Sequence, residues 1–155
     1  MDTLIFTCGG MENGGMFPVE HTGRGQDCSP EFSLKNVCAS AKTLAVTLED
    51  ISHPLFRNFT HWLIWNIPAG PQIPGAIPKG KRVPGLENAR QGLGYGVYRY
   101  AGPKPPKGKR HLYRISVYVL DSEIDLKFPA VKRRFLAAAG EHIVQRGQIT
   151  CGFES

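Results

Sequence analysis

Two stretches, Thr43-Leu44-Ala45-Val46-Thr47-Leu48-Glu49 and Trp62-Leu63-Ile64-Trp65-Asn66-Ile67, are apolar almost without interruption and rich in β-branched and aromatic residues. That pattern belongs to strands covered on both faces, because a half-exposed strand would alternate. The second run stops at Pro68, which cannot donate to a ladder. A chain with two such strands needs layers on either side of them, and the rest of the sequence must supply those layers.

Leu4 to Cys8 reads as an opening strand and Gly9 to Gly25 as loop. Residues 68–92 carry Pro68, Pro71, Pro74, Pro78 and Pro84, a composition unsuited to a helix or a central strand. An excursion of that length is expected to form a pocket wall or an interface. Tyr95 to Tyr100 and Leu112 to Leu120 are expected strands; in the second, Tyr113, Ile115, Val117 and Val119 share one face, together with His111. A helix is expected from Pro129 to about Gln145, with Val131, Phe135, Ala138, Ala139, His142 and Ile143 at helical spacing. Ile149 to Phe153 returns as a last strand. The class is mainly β with one late, peripheral α-helix, not an alternating βαβ fold.

The 155 residues, 41% hydrophobic and 21% charged, suit one domain over 1–155 with a sizeable core. The N-terminus lacks the basic and apolar regions of a secretory signal, and no apolar run approaches a bilayer-spanning length. A cytoplasmic location is therefore expected. Cys8, Cys28, Cys38 and Cys151 show no Cys-x-x-Cys spacing, so reduced thiols are expected, with a Cys28–Cys38 bridge as the alternative in an oxidising compartment.

The formal charge of +6 favours anionic partners. Basic residues gather at Lys79, Lys81 and Arg82, at Arg99, Lys104, Lys107, Lys109 and Arg110, and at Lys132, Arg133 and Arg134. A solvated face explains such clusters most simply. Nucleic-acid binding would need Tyr98 and Tyr100 exposed in a basic groove, whereas their β propensity suggests packing in a sheet; no nucleic-acid partner is expected.

Chemistry concentrates at His61, at His111 after Gly102-Pro103-Lys104-Pro105-Pro106-Lys107-Gly108, and at Asp50. Two imidazoles and the Tyr113 hydroxyl can supply donors to an anion, and Asp50 can set a histidine tautomer or accept from a protonated phosphate oxygen. A small monoanion or zwitterion suits that mixture better than a bare dianion. The competing readings are histidines that merely cap strands, and a zinc or non-haem iron site built from two histidines and a carboxylate. There is no Gly-x-Ser-x-Gly elbow, and the Gly102 loop lacks the Gly-Lys-Ser/Thr ending of a phosphate loop. Pro105 and Pro106 remove N–H groups such a cradle would use and stiffen the approach to His111.

Several segments together resemble the phosphatidylethanolamine-binding protein (PEBP) family, most closely its bacterial YbhB/YbcL-type branch, related to Raf kinase inhibitor protein. They are Cys28-Ser29-Pro30, similar to the family's Ser-Pro-Pro segment; Leu44 to Asp50 leading to Pro54, similar to the strand entering its Asp-Pro-Asp-Ala-Pro motif; Thr60-His61-Trp62-Leu63-Ile64-Trp65-Asn66-Ile67-Pro68; Tyr100 to Gly108; His111-Leu112-Tyr113; and Gly140-Glu141-His142-Ile143. The resemblance implies an antiparallel β-sandwich with a small anion cavity near one edge. It implies Asp50, His61, His111 and Tyr113 as ligand-binding residues, with Gly102, Pro103, Pro105 and Pro106 as the rim. Ile51, Ser52 and His53 replace the motif's Pro, second Asp and Ala, which removes one carboxylate, and Ser33-Leu34 stands where the family commonly has a Trp.

The expected function is non-enzymatic binding of a small anionic or zwitterionic ligand (phosphate, phosphoethanolamine-like or carboxylate) without cofactor, metal or catalytic residue. The alternative is a kinase-inhibitor-like protein-interaction regulator using the basic, proline-rich surface. A metal-dependent hydrolase is the third reading. The resemblance to the bacterial branch also allows a homodimer.

Overall fold

A computed structural model describes residues 2–155; Met1, the first residue of the expected 1–155 domain, lies outside the described residues. The strands are β1 (Phe6–Cys8), β2 (Phe32–Leu34), β3 (Thr43–Asp50), β4 (Phe59–Pro68), β5 (Gln72–Ile73), β6 (Arg90–Gln91), β7 (Arg110–Leu120) and β8 (Ile143–Glu154), with one α-helix, α1 (Lys132–Ala139), before β8. They form two antiparallel sheets, one in the order β6-β4-β3-β7-β8 and a smaller one in the order β1-β2-β5.

The two apolar runs become β4 and β3 at the middle of the larger sheet, and all eight residues of β3 are buried. One face of that sheet, with Leu44, Val46, Leu48, Trp62, Ile64, Tyr113, Ile115, Val117 and Val119, packs against Phe6, Phe32 and Ile73 of the smaller sheet. The opposite face, with Ala45, Leu63, Trp65 and Tyr118, packs against Phe135 and Ala139 of α1. Non-alternating apolarity is the sequence trace of this double cover.

Two expectations need correction. The helix does not reach Gln145: Gly140–His142 form a single 3-10 turn, and Ile143 already belongs to β8. The ladder of β8 with β7 runs from Ile143 to Glu154 and outcompetes the weak helical period of a glycine-interrupted segment. Tyr95 to Tyr100 is not a strand but a turn, closed by the isolated Gly94–Val97 bridge, with Tyr95 and Gly96 at positive φ. The stretch 68–92, expected to form a pocket wall or an interface, contributes the edge pairs β5 and β6, one to each sheet; it borders smaller surface pockets through Gln72 to Ala76, Asn88 and Arg90, but not the cavity that holds Asp50 and His61.

All four cysteines are free thiols, and Cys28 and Cys38 are unbridged. Among the described residues no helix is long and apolar enough to cross a membrane.

Candidate anion-binding site

The site lies where β3, β4 and β7 run side by side. Asp50 ends β3 and pairs with Phe59 on β4 and Tyr113 on β7. His61 reaches the same face through a β-bulge. Leu48 pairs with Trp62 and Glu49 with Thr60, so His61 is the extra residue on β4. Without the bulge, adjacent His61 and Trp62 would point to opposite faces. With it, Trp62 enters the core between the sheets while His61 stands edge-on to Tyr113, with ring centroids 5.5 Å apart and planes at 82°. Gly94 packs so closely on the His61 backbone that any Cβ there would clash, which brings the following turn and Tyr95 against the His61 ring, 5.0 Å between centroids.

Asp50, His61, His111 and Tyr113 all line one cavity of about 430 Å³. His111 Nδ1 donates to Asp50 Oδ2 at 2.7 Å, and the other oxygen, Oδ1, accepts the Ser52 N–H at 2.8 Å. His61 Nδ1 donates to the Ala101 carbonyl at 2.7 Å, which leaves Nε2 as its nitrogen available to the cavity. Burial pushes the His61 imidazole below its ordinary pKa, winning over the Ala101 carbonyl and the Asp50 carboxylate, which favour the charged form. Burial, with Asp50 and Tyr95 adding to it, raises the Tyr113 hydroxyl, so it remains a neutral donor at physiological pH.

Of the expected rim, Pro105 and Pro106 line the cavity, whereas Gly102 and Pro103 do not. Both are buried behind it as anchors. The Gly102 N–H donates to Asp27 Oδ1 at 2.7 Å, a Cβ at Gly102 would collide with the His21 carbonyl, and the Pro103 carbonyl accepts from the Gly23 N–H. The proline loop is thus tied to residues 21–27, and it presents Lys104, Pro105 and Pro106 to the opening.

The cavity also draws on Ser52, His53, Tyr95 and Lys109. Tyr95 escapes a reading that makes it a strand residue; the Gly94-Tyr95-Gly96 sequence was the available signal for a turn. Ser52 and His53 replace a carboxylate-bearing motif by local capping groups. Ser52 Oγ accepts the Leu112 N–H, and His53 Nδ1 accepts the N–H groups of Leu55 and Phe56 at 3.1 Å.

Members of the three basic clusters are engaged in different ways. Lys81 lies over the rings of Tyr98 and Phe128, Lys132 pairs with buried Glu49, and Lys104 and Lys109 border the cavity. Tyr98 and Tyr100 pack on Phe128 and Trp62 from the turn and loop, not from within a sheet. Among the described residues no three His, Cys, Asp or Glu side chains stand so as to hold one metal ion together.

A UPF0098 protein of Pyrococcus abyssi is 35% identical over 144 residues, 92% of this chain and 80% of the relative. YbhB of Escherichia coli, also a UPF0098 protein, is 32% identical over 104 residues, 64% of this chain and 63% of the relative. The solved structure of Escherichia coli YbcL, described as a member of the mammalian PEBP family, shares the fold with a TM-score of 0.85 over 99% of both chains at 24% identity. The model of the phosphatidylethanolamine-binding protein family matches residues 9–154. With sandwich, cavity and relatives in agreement, the chain belongs to the phosphatidylethanolamine-binding protein family, as a YbhB/YbcL-type member.

Proposed function

We propose that this protein binds a small phosphate- or carboxylate-bearing ligand in the cavity floored by Asp50, His61, His111 and Tyr113, and releases it chemically unchanged. Family membership supports a binding role. The observation that carries the finer reading is the convergence of four polar side chains from three strands, with His111 locked to Asp50 and His61 re-aimed by a bulge onto the same space. Lys104 and Lys109 at the opening give the approach a positive sign, which draws anions inward. The apolar sides contributed by Pro105, Pro106 and Tyr95 suit the carbon portion of an ester.

Turnover would need a nucleophile that a base such as His61 Nε2 can activate. The candidate nucleophiles are held back: each Asp50 oxygen already accepts a hydrogen bond, and the Tyr113 hydroxyl is held neutral. The expected result of titrating phosphate or phosphoethanolamine is saturable movement of the His61 and His111 imidazole resonances. If neither moves at millimolar ligand, the proposal is wrong.

A further inference from the structure

Resting on the reading of the cavity as an anion site, we propose that it selects oxyanions carrying a proton, hydrogen phosphate and singly protonated phosphomonoesters, over proton-free oxyanions of the same shape such as sulfate. His61 Nε2 and the Asp50 carboxylate are the acceptors of that proton.

The geometry sets the direction of each hydrogen bond. A carbonyl oxygen can only accept, so the 2.7 Å contact with Ala101 puts the proton of a neutral His61 on Nδ1 and leaves a lone pair on Nε2. The Asp50 oxygens accept from His111 and from Ser52 and keep lone pairs beyond those bonds. A fully deprotonated oxyanion placed here sets its own lone pairs against those of His61 and Asp50. An oxyanion with one P–OH turns the same contacts into hydrogen bonds, while its other oxygens take the Tyr113 hydroxyl and the lysines at the opening.

The charges around His61 come from every side of the cavity. Asp50 lies on β3, His111 and Tyr113 on β7, His53 on the loop after β3, Tyr95 on the facing turn, and Lys104 and Lys109 on the proline loop; Asp27 stands behind Gly102. The Asp50 and Asp27 carboxylates and the Ala101 and Gly102 carbonyls favour imidazolium, yet burial outweighs them and holds the ring neutral. Should a dianionic ester bring His61 to take up a proton, the complex still gains that proton from solvent. The balance is the same whether it rests on Nε2 or on the phosphate oxygen.

The test is calorimetry on the full chain with inorganic phosphate, sulfate and methyl phosphate, in buffers of different ionisation heat. Phosphate should bind at least about tenfold more tightly than sulfate at pH 7, since sulfate leaves buried acceptors unpaired. Methyl phosphate should bind with uptake of about one proton at pH 8 and almost none at pH 5, where it already carries one. His61→Gln, whose amide can turn an N–H toward the anion, should narrow the phosphate-to-sulfate ratio while circular dichroism stays native. Sulfate binding as tightly as phosphate, methyl phosphate binding at pH 8 without proton uptake, or an unchanged ratio in a folded H61Q protein would each overturn the proposal and leave the anion site standing. Absence of binding by all three anions would remove the anion site as well.

Discussion

At Asp50 each carboxylate oxygen accepts one hydrogen bond, from His111 and from the Ser52 backbone, and the side chain is only 4% exposed. Asp50→Ala leaves two donors without an acceptor and should destabilise the fold by about 1–3 kcal/mol in urea denaturation. It should also free the His111 ring, seen as averaging of its NMR signals. His61 makes a pH prediction whose sign follows from its burial. Its folded pKa lies below the ordinary value of 6.5, so the unfolded chain takes up the proton first as pH falls. Stability from this residue is therefore complete above about 6.5 and is lost as pH falls toward the depressed folded value. The urea midpoint of the wild type should drop between pH 7.5 and 5 more steeply than that of His61→Gln; parallel profiles would mean that burial does not control this histidine.

The elements around the site are held by contacts on the opposite face of the sheet. Glu49, 1% exposed on β3, takes Lys132 from the start of α1 and Arg114 from β7, the latter at 3.4 Å. Lys132, unfavourable for the dipole at the start of α1, is explained by this buried carboxylate. Lys132→Met should cost about 3 kcal/mol because it strips a buried charge of a partner. Arg133→Met, at an exposed neighbour, should stay within about 0.5 kcal/mol, and the difference in urea midpoints checks the assignment. Phe135, fully buried against Trp65 and Tyr118, should cost about 3–5 kcal/mol when truncated to Ala. Neither class of change touches the cavity directly, so anion affinity in the folded fraction should stay close to wild type.

On the scale of the whole molecule, the cavity depends on a segment distant in sequence. Asp27 holds the Gly102 N–H and pairs with Arg99 at 3.4 Å, tying the proline loop to the N-terminal segment. Its φ of 57° is one that Asp and Asn tolerate better than Ala. Asp27→Ala should therefore weaken phosphate binding several-fold without touching ligand, whereas Asp27→Asn, which keeps the acceptor and the backbone preference, should restore most of it. Equal losses in both variants, read by the same titration, would assign the effect to charge and not to the tether.

The sequence alone determined the layers and the chemical cast. Apolarity without alternation in 43–49 and 62–67 can only be satisfied by cover on both faces, and the segments around Asp50, His61 and His111 carry the family resemblance. What the tertiary structure decided was direction. A bulge has no local signature, so only the pairing of Leu48 with Trp62 and Glu49 with Thr60 shows that His61 faces the cavity. Likewise, the anchoring of Gly102 and Pro103 behind the rim, and the turn that delivers Tyr95, depend on partners dozens of residues away, which no reading of local composition can weigh.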